Sequence, residues 1–195
     1  MTDFFRQINL NNQRFKCYKA GDESESLDLT VDIHNVLNSG ATEKEILLLE
    51  ELIPDNNKEI VQFYKVHNGL RLYCNGETSG VDICPIADLQ ELNEAWKEWF
   101  SDYEDDELYD FQKSGYAFGE IAHSGNYFVF YEGKVFYSDH DEFEEKDLGK
   151  TFNEFLQKIV TNPADFLLDM GCYTRYSDGK TDEQWIPKEF HADEN

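Results

Sequence analysis

Basic side chains are scarce in this chain. Lys and Arg number 17 against 41 Asp and Glu, a formal net charge of −24. A surface of that sign repels phosphate backbones and anionic headgroups, which excludes nucleic acid and anionic membrane as partners, and it draws basic proteins at rates that fall with salt. A plainer reading is that acidity serves solubility or a salt-adapted proteome. Long apolar runs are missing too. No stretch of about 18 apolar residues offers a spanning helix. The opening MTDFFRQINLNN lacks the basic-then-apolar order of a secretory signal, so a soluble, cytoplasmic protein is expected.

Motifs that carry chemistry are absent as well. Cys17, Cys74, Cys84 and Cys172 form no C-x-x-C and read as reduced structural thiols. His34, His67, His123, His140 and His191 show no H-E-x-x-H and no i,i+4 pair, so zinc has no support. A G-x-S-x-G elbow, a phosphate-binding glycine loop and a dinucleotide fingerprint are all missing. Asp139, Asp141 and Glu144 have some of the spacing of a calcium loop, yet Phe143 stands where an oxygen ligand belongs and no glycine follows. Glu120 lies close to His123 in sequence, and Cys172 could meet His123 in space, but no spacing demands a catalytic pair. The expectation is a protein that is not an enzyme, with no catalytic residue, metal or cofactor.

The chain is instead organised around Ser114–Asp141, which is dense in aromatics, punctuated by glycines and patterned as a three-stranded meander. Phe128 and Phe130 share one face of its middle strand, while Tyr127, Val129 and Tyr131 share the other. Both faces therefore call for cover. Glu132-Gly133 and Ser124-Gly125-Asn126 supply the links.

Upstream, Leu27, Leu29, Val31 and Ile33 alternate with polar residues, the pattern of a strand at the sheet edge. Thr42 and Glu45 form a capping box before a helix bearing Ile46, Leu47, Leu49, Leu52 and Ile53, which Pro54 stops. Asp55 caps a second helix with Ile60, Phe63, Tyr64 and His67 on one stripe, ended by Asn68-Gly69. Residues 70–74 and 81–84 make a hairpin. From Asp88 to Phe100 an amphipathic helix sets Leu89, Leu92, Trp96 and Trp99 on one face, a spacing that places Trp99 in the core. Thr151 and Glu154 form a second capping box, before a helix with Phe152, Phe155, Leu156 and Ile159. Ala164–Met170 reads as a short helix, and residues 172–195 as a strap over the core.

Ser101–Asp110 holds six acids and no base, which resists burial and predicts an exposed loop. A second acidic run starts at Asp139. Aromatics flank the first, and tyrosine and tryptophan commonly anchor interfaces while charges steer. Candidate partner-binding residues are accordingly Asp102, Tyr103, Glu104, Asp105, Asp106, Glu107, Tyr109, Asp110, Asp139, Asp141, Glu142 and Glu144. The competing reading of the two tyrosines is that they merely cover Trp99.

In order along the chain stand Ile53-Pro54, Phe63-Tyr64 before Asn68-Gly69-Leu70, Ile83-Cys84-Pro85-Ile86, Phe118-Gly119-Glu120, Gly125-Asn126-Tyr127-Phe128, Val135-Phe136 leading to Ser138-Asp139-His140-Asp141, and Phe152-x-x-Phe155-Leu156. Together these resemble the SUKH superfamily, the Smi/Knr-type domain, over about residues 41–160. The family often has Leu-Pro where this chain has Ile53-Pro54, and a further glycine where it has Ser124. The resemblance implies an α+β single domain, a mainly antiparallel twisted sheet of about five or six strands with helices beside it. The expected division is 1–40 as an extension joined to the core, 41–160 as the core and 161–195 as a strap and tail. In bacteria such domains are mostly immunity proteins that block toxins, frequently nucleases; fungal relatives are adaptors in cell-wall signalling. The functional expectation is an immunity protein that binds a basic, nucleic-acid-acting toxin through its acidic surface, with a monomer slightly favoured. A non-enzymatic adaptor is the alternative, with an uncharacterised hydrolase behind it.

Overall fold

The computed structural model describes residues 13–19, 26–53, 58–76, 79–104, 107–140, 146–161, 163, 166–167, 176–177 and 184–189. The strands are β1 (Gln13–Lys19), β2 (Ser26–Leu37), β3 (Leu70–Cys74), β4 (Val81–Ile83), β5 (Tyr116–Ile121), β6 (Asn126–Tyr131), β7 (Lys134–Ser138), β8 (Lys146–Gly149), β9 (Tyr176–Ser177) and β10 (Gln184–Glu189). The helices are α1 (Glu43–Leu52), α2 (Lys58–Val66), α3 (Leu89–Glu98), α4 (Asp110–Ser114) and α5 (Phe152–Thr161).

All strands join one antiparallel sheet in the order β8-β7-β6-β5-β4-β3-β2-β1-β10-β9. The α+β architecture is the expected one, but the sheet is larger than five or six strands. The surplus comes from β1, β8, β9 and β10, which are short or lack bounding turn signals. The strand foreseen at the edge is β2, and it lies inside the sheet: β3 pairs on one side, and β1 on the other through Phe15↔Val31 and its neighbours.

Helices α1, α2 and α5 cover one face. Thr42 Oγ1 accepts the Glu45 amide at 3.3 Å while a Glu45 carboxylate oxygen accepts the Thr42 amide at 2.7 Å, the expected box. These Thr42 hydrogen bonds hold the Glu45 carboxyl below its usual range. Before α5 the box is half made. Thr151 Oγ1 accepts from the Glu154 amide, but the Glu154 carboxylate turns to the Lys150 amide at 3.0 Å. Beneath these helices Phe118 meets Phe152 and Phe155 at ring distances of 5.2 and 5.6 Å. Such pairs add about 0.5–1.5 kcal/mol beyond the area they bury. The expected roles of Pro54 and Asp55, and most of the Ala164–Met170 helix, lie outside the described residues; Phe166 and Leu167 are buried in this core.

The opposite face of β5, β6 and β7 carries a smaller core of Trp96, Phe100, Phe111, Ala117, Tyr127, Val129 and Phe136. Helix α3, the loop after it and α4 close it over. The middle strand thus has both faces covered, Phe128 and Phe130 on the first core, Tyr127 and Val129 on the second.

Candidate partner-binding face

Helix α3 is locked to the sheet by Asn93. Its side chain donates to the Ala117 carbonyl at 2.6 Å and accepts from the Ala117 amide at 2.8 Å, satisfying backbone groups beside the register shift in β5. Trp96, fully buried, donates its indole N–H to Ser138 Oγ at 3.0 Å. Phe100 stays in the second core beside it, but Trp99 turns away and is 49% exposed, where its spacing had placed it in the core. The reason is local: α3 ends at Glu98, and the following six-acid run cannot continue under the sheet.

Trp99 stands against two other elements. Its ring lies 5.4 Å from that of His140, just after β7, and its side chain acts on the Tyr127 hydroxyl of β6. A Cβ at Gly125, which has φ +78°, would sit 3.3 Å from the indole, so the turn before β6 approaches closely. Asn126 ties this corner together, its Oδ1 accepting from the His140 amide at 3.0 Å.

From this corner the loop Ser101–Tyr109 crosses the second core. Its turns are held by the Tyr103 amide donating to the Phe100 carbonyl and the Glu107 amide to the Glu104 carbonyl. Asp102, Tyr103, Glu104 and Glu107 are exposed, as expected of an acidic loop. Leu108 turns inward against the second core. Tyr109 and Asp110 open α4, a helix that sequence reading missed, where the Tyr109 amide donates to Gln112 Oε1 at 2.9 Å. Tyr109 stacks on Phe111, 38% exposed itself.

The structure therefore divides the predicted residues between two ends of one face. Asp139 and His140 join Trp99 where β6 starts, with Asp102 and Tyr103 following Trp99 in the chain; Tyr109 and Asp110 join Tyr131, Glu132, Lys134 and Phe136 where β6 ends. At about 3.4 Å per residue the length of β6 separates the two ends by roughly 17 Å. Asp105, Asp106, Asp141, Glu142 and Glu144 lie outside the described residues. Trp99, His140, Tyr131 and Glu132 share this face without having been among the predicted residues; for Trp99 the signal of its exposure was the onset of acids three residues later.

A polar row borders the same face. Arg71, Asp82, Glu120 and Tyr127 stand in register across β3, β4, β5 and β6. Arg71 Nε lies 3.3 Å from Asp82. Burial raises the Asp82 carboxyl against the pull of Arg71; burial and then the Asp82 charge raise that of Glu120, opposed by His123. Glu120 and His123 do meet; Cys172, the other partner considered for His123, lies outside the described residues. Burial pushes the Cys17 thiol up to about 12 and that of Cys74 to about 11, and raises Cys84 further. Among the described residues no three His, Cys, Asp or Glu side chains are grouped to hold a metal, and no helix is long and apolar enough to cross a membrane.

One antiparallel sheet covered on both faces, with an exposed acidic, aromatic loop across one of them, defines an α+β domain. A family model, described as the SMI1 / KNR4 family (SUKH-1), matches residues 40–158, more than half of the 195. The chain belongs to that family. No match was found among curated proteins.

Proposed function

We propose that this chain is an immunity protein that binds a basic toxin acting on nucleic acid and blocks it, without catalysing a reaction itself. The observation that carries the reading is the loop face: Trp99, Tyr103 and Tyr109, exposed by 49, 41 and 38%, rise within eleven residues among Glu98, Asp102, Glu104, Glu107 and Asp110. Exposed aromatics on a rigid support are the side chains that anchor interfaces, and carboxylates around them present to a basic groove the charge that phosphates would. Membership of the SUKH family supports the reading, as does the net charge. The raised thiols Cys17, Cys74 and Cys84 speak for binding over nucleophilic catalysis, because the thiolate is the reactive form.

The test is co-expression with the basic protein encoded beside this gene. Growth arrest by that protein alone and rescue by this chain are expected. The variant D102K/E104K/E107K should slow association at low salt by about tenfold or more, while stability stays within ~0.5 kcal/mol. A neighbour that is harmless, or an association rate that the reversal leaves unchanged, overturns the reading.

A further inference from the structure

At the far end of the loop face a cleft of about 360 Å³ opens between the start of α4 and the β6–β7 hairpin. Tyr109 and Tyr131 form its aromatic walls, backed by the buried Phe111 and Phe136. Tyr109 lies parallel to Phe111 at 6.0 Å and 15°, Phe111 parallel to Phe136 at 4.9 Å and 8°, and Tyr131 leans on Phe136 at 6.3 Å. Asp110 and Glu132 line it too, and their charges converge. Burial, and then the Glu132 and Asp110 charges, raise the Tyr131 hydroxyl. Glu132 and Gly133 have φ of 49° and 82°, the pair of left-handed residues that a two-residue hairpin link uses, so the backbone carrying this carboxylate is fixed relative to both strands.

Two lysines bear on the same cleft. Lys134, exposed, lines one side. Lys113 reaches Asp110 only at 4.0 Å, and the Asp110 side chain is 82% exposed, so that contact is weak in water. Stacked rings beside two carboxylates suit a planar, weakly hydrated cation that can lie on an aromatic face while its N–H fork meets the acids. That cation is a guanidinium. An ammonium is a strongly hydrated point charge and gains less from the same walls.

We propose that this cleft is an arginine slot, which receives one arginine side chain of the partner protein on the Tyr109 and Tyr131 rings with its guanidinium between Asp110 and Glu132. The slot rests on the binding role proposed above and names one contact within it.

The probe is N-acetyl-arginine methylamide, titrated into the full chain by NMR, with the lysine and citrulline counterparts as controls. Saturable shifts are expected at the amides of Asp110, Phe111, Tyr131 and Glu132, none with the neutral citrulline, and at least several-fold weaker binding for lysine. Glu132→Asn removes the carboxylate while keeping a residue that tolerates positive φ, and should weaken arginine binding about tenfold. Citrulline shifting the same amides equally, lysine binding as tightly, arginine shifting the Asp102–Glu104 amides instead, or Glu132→Asn titrating like the parent each overturns the slot. If the toxin is bound and blocked with unchanged affinity by Glu132→Asn, the slot falls and the binding role stands. If no toxin is bound, the role falls while the titration still reports on the cleft.

Discussion

Replacing Glu120 by glutamine should stabilise the protein at neutral pH and lose that advantage in acid. Glu120 on β5 faces Asp82 on β4 directly, and both carboxyls sit above their usual range, chiefly through burial. A carboxyl raised in the folded state binds more protons folded than unfolded. The stability it costs is therefore present above the raised folded value and vanishes as pH falls towards the unfolded values of about 4. Like charges directly opposite on adjacent strands cost roughly 0.2–1 kcal/mol, of which Arg71 beside Asp82 recovers part. Glutamine keeps the shape and removes the charge that faces Asp82. The expected gain is up to about 1 kcal/mol at pH 7.5, a rise in Tm of about 2–4 °C for a chain of this size, and close to nothing at pH 4. Urea titrations at the two pH values measure it, with an unchanged slope showing that only stability moved. A gain of equal size at both pH values, or a loss at pH 7.5, would refute the reasoning.

The two tryptophans should separate stability from binding. Trp96→Ala removes a fully buried ring and the donor to Ser138, and should cost about 3–5 kcal/mol by denaturant titration. Trp99→Ala removes a half-exposed ring packed on His140 and should change stability by less than about 1 kcal/mol. Its effect belongs to the interface, where loss of an aromatic anchor should weaken partner affinity at least tenfold, about 1.4 kcal/mol or more by calorimetry.

Local signals in the sequence carried much of the fold. The Thr42–Glu45 box, the Ile60–Tyr64 stripe and the alternation through Tyr127–Tyr131 each state a periodicity or a cap that the structure realises where it was read. Elements set by long-range pairing were hidden. Strand β8 exists because β7 offers it an edge, and β10 because β1 does; neither segment has turn signals strong enough to announce a strand. The acidic loop was legible because adjacent like charges resist burial, but the company it keeps was not. Trp99 meeting His140 depends on where β7 ends relative to α3, and Tyr109 meeting Tyr131 on a short helix whose cap is Gln112 rather than a familiar Ser or Thr pattern.

Amide hydrogen exchange of the chain with and without the proposed toxin addresses the proposed interface most directly. Slowed exchange is predicted over 99–104, 107–110 and 139–140, the two ends of the loop face and the segment between them, with α1, α2 and α5 unchanged. Protection confined to those three helices or to the β1–β10 edge, with the loop exchanging as fast in the complex as alone, would contradict the account.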